Sequence, residues 1–200
     1  MKRTLFIILL SAAFMAAPSV YSHAQSICRL KPTTTVLLYP EGQEAEKGIP
    51  EALGPKISNG ITEAEWTDET GRIGSISDSA RVDIYLPKKC NGQMIVVCPG
   101  GGYRYVSALK EGLHVADWMT ARGIAVAVVK HRMPEGHWEI PLIDVQNAFR
   151  YCRVHAAEWG ISQIGVMGFS AGGHLASVIS THSPYEVRPD FSILFYPVIS

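Results

Sequence analysis

The sequence predicts an α/β fold of three layers, with a mostly parallel sheet between helices. Three observations carry this. From residue 93 onward, apolar runs of strand length alternate with amphipathic runs of helix length, and that alternation implies a parallel sheet with right-handed crossovers. The runs 93–98 (QMIVVC) and 124–129 (IAVAVV) are almost wholly apolar, as befits strands covered on both faces. Gly168-Phe169-Ser170-Ala171-Gly172 separates a short apolar run from a helical one. The pattern G-x-S-x-G in that context makes a tight strand-to-helix turn with the serine hydroxyl exposed above the sheet.

The elements follow in chain order. Lys2 and Arg3 precede an apolar stretch, Leu5 to Ala17, too short to span a bilayer and shaped like an export signal. Ser22-His23-Ala24 offers a small-x-small cleavage site. Residues 1–24 are therefore expected to be removed, leaving 25–200 as one exported domain, periplasmic or secreted. Residues 25–33 read as a flexible lead and Thr34–Tyr39 as a short strand. Residues 40–79 are rich in Gly, Pro, Glu, Ser and Thr without clear periodicity, so they read as a long irregular surface arm. Arg81–Leu86 alternates polar and apolar residues, which suits a half-buried antiparallel strand.

Strand 93–98 leads into Pro99-Gly100-Gly101-Gly102-Tyr103, whose glycines permit close backbone approach to a ligand. An amphipathic helix follows over 107–122, stopped by Gly123, then strand 124–129 and a loop over 131–140. Pro141 opens a helix running to about Trp159, with Gly160 as its cap. Strand 163–167, helix 172–180 and strand 191–196 complete six strands. The two earliest strands extend one edge of the sheet in antiparallel pairing.

Composition excludes several classes. The chain has 200 residues, is 47% hydrophobic and carries a formal net charge of zero. No basic run points to nucleic acid or an anionic membrane, and no integral span is expected in the mature chain. No Cys or His spacing resembles a metal site, and no cofactor is implied. Of the four cysteines, Cys98 and Cys152 read as buried thiols, while Cys28 and Cys90 lie in loop-like segments and are free to pair after export.

The site residues follow from the turn. Ser170 is the candidate nucleophile. A serine hydroxyl is weak at neutral pH and needs an adjacent base. Attack on an ester creates an oxyanion, which fixed backbone N–H groups stabilise. In this kind of turn the donors come from the residue after the nucleophile and from an upstream glycine loop. Ala171, Gly101 and Gly102 are therefore the candidate oxyanion donors. Tyr103 either lines the substrate pocket beside the serine or packs on the surface. His174 lies one helical turn after Ser170 and faces the packing around its helix. His131 and Arg132 follow a strand end and are placed to line the cleft, with His137 in the same loop. Asp144 reads as a helix-start or loop anchor, and His114 and His155 as surface or core residues.

Taken together, Leu38-Tyr-Pro-Glu-Gly42, Val82-Asp-Ile-Tyr-Leu-Pro87, Cys98-Pro-Gly-Gly-Gly-Tyr103, His131-Arg-Met-Pro134, Pro141-Leu-Ile-Asp144 and Gly168-Phe-Ser-Ala-Gly-Gly-His174 give the chain its resemblance. It resembles α/β-hydrolases of the esterase/lipase superfamily and, more narrowly, bacterial secreted carbohydrate esterases of the acetyl-xylan and feruloyl type. The family's frequent histidine before the glycines is Pro99 here. The resemblance implies ester hydrolysis through an acyl-enzyme, on a small-molecule or oligosaccharide ester such as an acylated plant polysaccharide fragment. It also implies a triad acid and histidine later in the chain than the serine. Thirty residues follow Ser170, and none is a histidine at a suitable place. The expectation is an α/β-hydrolase domain lacking its last strands and helices, with 191–196 left as an apolar edge strand and little activity alone. An exported serine peptidase of the same fold and a non-catalytic binding protein are the alternatives.

Overall fold

Each of the six expected strands forms, and their pairing sets where the chemistry can sit. A computed structural model describes residues 30–39 and 58–199. The leader over 1–24, Cys28 and the arm's residues 40–57 lie outside the described residues. Strands β1 (Thr34–Leu37), β4 (Arg81–Tyr85), β5 (Gln93–Cys98), β7 (Ala125–Lys130), β8 (Gln163–Phe169) and β9 (Ser192–Phe195) make one sheet in the order β1-β4-β7-β5-β8-β9. β1 and β4 enter antiparallel, and β7, β5, β8 and β9 run parallel.

Side-chain alternation on β5 builds two cores. Met94, Val96 and Cys98 face the side covered by α2 (Glu139–His155) and α3 (Ala171–His182), where Leu142, Phe149, Leu175 and Ile179 are buried. Ile95 and Val97 face the other side, against Ala116 of α1 (His114–Thr120). Burying each of the Val, Leu, Ile, Phe and Met side chains among them is worth about 1.5–3 kcal/mol, so the sheet's central strands anchor the domain. Cys98 and Cys152 are fully buried thiols, and burial pushes both up to about 12.

Two expectations need correction. The arm is not wholly irregular, because β2 (Trp66–Thr67) and β3 (Arg72–Gly74) lie within it. They pair with β6 (Tyr105–Ser107) in a second, three-stranded antiparallel sheet. Strands of two or three residues are too short for alternation to show in a sequence. The helix expected over 107–122 is likewise broken. Residue 107 closes β6, Ala108–Leu113 winds as a π-helical turn, and α1 follows. β6 draws residues 105–107 away from the helix to pair with β3, leaving the next turn to absorb the change in direction. The other helices begin and end within a few residues of expectation.

Candidate active site

The register of β5 against β8 brings the glycine loop to the serine turn. Cys98 pairs with Gly168 at the ends of two neighbouring parallel strands, so the residues after each emerge side by side. α3 then starts against the loop. A Cβ on Gly172 would overlap the carbonyl oxygen of Cys98, and one on Gly168 that of Gly172. Only glycine fits where strand, turn and loop approach this closely.

Ser170 itself stands at φ 52, ψ −118, a conformation costing about 1–3 kcal/mol for a residue with a Cβ. The surrounding backbone holds it there. Its N–H donates to the Phe195 carbonyl at 3.1 Å, and its carbonyl accepts from His174 at 3.0 Å and Val198 at 3.2 Å. The side chain is partly exposed and makes no capping hydrogen bond to α3. Among the described residues, no histidine is hydrogen-bonded to its hydroxyl.

The glycine loop faces this turn. A Cβ built on Gly100 would lie 3.1 Å from that of Ser170. The Gly100 N–H is already committed, donating to Glu111 Oε2 at 2.6 Å. Gly101 and Gly102 take left-handed φ values of 141 and 61, and the carbonyl of Gly101 accepts from Arg104 at 3.1 Å. Ala171 opens α3 directly after the serine, where backbone N–H groups lack intrahelical acceptors. Ser170, Gly101, Gly102 and Ala171 are thus gathered at the ends of β5 and β8.

Glu111 is a residue that sequence reasoning missed. From the π-helical turn, one carboxylate oxygen holds Gly100 and the other accepts from the Tyr196 hydroxyl at 2.9 Å. Burial, reinforced by this bond to Glu111, pushes the Tyr196 phenol up to about 12. Glu111 therefore ties the glycine loop to the residues after β9. A glutamate in an amphipathic stretch gives no sequence signal for that role.

The other candidates separate clearly. Tyr103 (φ 58) donates to or accepts from His174 Nδ1 at 2.9 Å, and burial raises its phenol pKa. Its ring lines a small apolar cavity of about 170 Å³ with Pro134, Trp138, Leu175 and Val178. His174 therefore points at Tyr103, not only into helix packing.

His131 and Arg132 do not line an open cleft. Both are buried. His131 Nδ1 lies 3.0 Å from the Arg132 carbonyl. Burial lowers its pKa, outweighing the Arg132 and Pro99 carbonyls that favour the charged form. The Arg132 guanidinium pairs with Asp144 at 2.7 Å, and the Tyr39 hydroxyl donates to the same carboxylate at 2.9 Å. The carboxylate also accepts the Arg132 backbone N–H at 2.8 Å. Asp144 is accordingly the loop anchor expected of it. His137 is exposed beside Glu139, and His155 stacks on Trp159. Among the described residues, no cluster of three His, Cys, Asp or Glu side chains is placed to hold a metal ion, and no helix is long and apolar enough to cross a membrane.

Comparison with known proteins agrees with this architecture. An acetylxylan esterase from Xylanibacter ruminicola is 52% identical over 130 residues, covering 63% of this chain and 27% of the relative. An acetyl ester-xyloside bifunctional hydrolase from Caldicellulosiruptor lactoaceticus superimposes with a TM-score of 0.57 at 28% identity, covering 86% of this chain and 60% of that structure. A thermophilic esterase from Thermogutta terrifontis gives 0.52 at 27% identity, over 60% and 49% of the two chains. The chain thus spans about a quarter of the length of the curated acetylxylan esterase. The fold is that of the α/β-hydrolases. With the BD-FAE family model matching residues 82–188, from β4 to the segment beyond α3, the chain belongs to the BD-FAE family.

Proposed function

We propose that this chain carries the nucleophile and oxyanion site of a serine carboxylic-ester hydrolase acting on acylated plant polysaccharide fragments. One observation carries the reading: a strained, partly exposed Ser170 with no capping bond, facing a glycine loop whose first N–H is already occupied. The acyl-esterase names of the relatives support the substrate class.

In this reading Ser170 Oγ attacks the ester carbonyl carbon as its proton passes to a base. The carbonyl oxygen becomes an oxyanion, received by the N–H groups of Ala171 and of Gly101 or Gly102. Each such donor is typically worth about 3 kcal/mol. Collapse breaks the bond to the sugar oxygen, which leaves as the alcohol with the proton. Water then attacks the acyl-serine, releasing the acid and restoring the hydroxyl. The base cannot be His131, which is buried and turned to carbonyls, and His174 is engaged by Tyr103. The reading therefore calls for a histidine and its acid from outside the described residues. It also includes export, on the basic, apolar start of the chain.

The test is acetate release from 4-nitrophenyl acetate and from acetylated xylo-oligosaccharides, by the chain and by Ser170→Ala. Slow, Ser170-dependent release is expected. Release at ordinary enzyme rates contradicts the need for an external base. Release that survives Ser170→Ala contradicts the nucleophile and leaves a non-catalytic binding role for the cleft.

A further inference from the structure

The loop that carries Tyr103 and the loop after β7 form a ridge with a cavity on each side. Tyr103, Pro134 and Gly136 face the small apolar cavity already described. Arg104, Met133 and Glu135, their immediate neighbours, face a second cavity of about 440 Å³. The second cavity is the larger and has a different chemistry. We propose that it is a binding subsite for a neutral oligosaccharide chain, holding sugar residues beyond the one that carries the ester. The ligand class rests on the hydrolase reading above, but the site itself rests on its own residues.

The cavity is built by the small sheet. Trp66 of β2 pairs across from Gly74 of β3. Because Gly74 has no side chain, the indole lies directly over its backbone, and a Cβ there would overlap the ring. The strand pairing thereby fixes one face of the indole and leaves Trp66 42% exposed at the cavity wall. A clamped, half-exposed indole presents an electron-rich face, which suits the axial C–H bonds of a pyranose ring.

Polar groups surround that platform. Glu63 and Glu135 supply acceptors and Arg104 a fork of donors. Ser75 adds a hydroxyl, 3.5 Å from Glu63 Oε2. The floor is rigid, since Asn59 Nδ2 donates to the carbonyls of Ile76 at 3.0 Å and Met133 at 2.9 Å. Two carboxylates against one guanidinium disfavour an anionic ligand. An apolar ligand would strand the same groups without partners. A neutral polyhydroxylated chain matches both the aromatic face and the mixed donors and acceptors.

The experiment is calorimetric titration of the full chain with xylotetraose, which carries no ester. Saturable binding is expected in the chain and in Ser170→Ala alike. Trp66→Ala should weaken it at least tenfold, and Arg104→Ala, on an exposed loop, severalfold. Trp118→Ala, which removes an exposed indole from α1, should leave it unchanged. Thermal unfolding of each variant separates lost binding from lost fold, and Arg104→Ala keeps the test decisive if Trp66→Ala does not fold. Absence of xylotetraose binding, or binding untouched by both Trp66→Ala and Arg104→Ala, overturns the subsite. Neither result bears on ester cleavage. Loss of Ser170-dependent acetate release with xylotetraose binding intact would overturn the hydrolase reading and leave the subsite standing.

Discussion

The loop after β7 and the turn after β8 leave parallel strands at the same end of the sheet, yet they treat their polar groups in opposite ways. After β7, His131, Arg132 and the facing Asp144 carry the ionisable groups that a search for chemistry would pick first. Arg132 and Asp144 are fully buried and bound to each other and to Tyr39. After β8, a single uncharged serine is held in a strained conformation with its hydroxyl making no cap. Charge that is fully paired holds structure, whereas a polar group kept unpaired at a cost in strain is available for chemistry.

Breaking the buried cluster should give the largest effect. Asp144→Ala leaves the Arg132 guanidinium buried without its carboxylate, and removing one partner of such a pair typically costs about 3–5 kcal/mol. Urea unfolding should show a loss of that size. A loss below about 1 kcal/mol would mean that the cluster is not what holds the loop.

Crowding the serine turn comes next. Gly172→Ala forces a methyl against the Cys98 carbonyl, so a loss of about 3 kcal/mol is expected, with any Ser170-dependent turnover lost as well. Unchanged stability by thermal melting would contradict the close approach.

His131 sharpens the same contrast through pH. Burial lowers its folded pKa, so below about 6.5 the unfolded chain takes up a proton that the folded chain resists. The histidine's share of stability is present above that value and is lost as pH falls toward the folded pKa. In His131→Gln the decline of stability between about pH 6.5 and 5 should be shallower. An identical pH slope would rule out the titration.

How much of this could be read from the sequence depended on what kind of signal each part leaves. The central strands announced themselves through apolar runs such as Met94–Cys98, because burial on both faces leaves a compositional trace, and β4 did so through the alternation over Arg81–Leu86. Ser170 and its glycines were legible because a turn this tight tolerates few residues. Trp66–Thr67 and Arg72–Gly74 left none, being too short for alternation, and so the cavity they frame stayed hidden. Asp144 was readable as an anchor from its place early in a helix, but its partner Tyr39 lies 105 residues away, a pairing that only the fold creates. The same holds for Glu111, whose partner Tyr196 lies 85 residues away and reaches it because β9 pairs with β8.

Smaller effects belong to residues that support the turn without bearing its chemistry. Glu111→Ala frees the Gly100 N–H and loosens the glycine loop, so kcat for acetyl ester should fall about tenfold with KM little changed, which is less than the loss of a donor itself. Glu111→Gln keeps an acceptor for Gly100 and should recover most of the rate. Equal losses in both variants would argue for the charge and against positioning.

The central claim is that Ser170 Oγ attacks the ester carbonyl and is acylated, and it can be tested by locating the acyl group directly. The chain is mixed with 4-nitrophenyl acetate, quenched in acid, digested and mapped by mass spectrometry. The account predicts acetyl on the peptide bearing Ser170, absent in Ser170→Ala. Acetyl found on lysines alone, with hydrolysis proceeding and Ser170 unmodified, would contradict it.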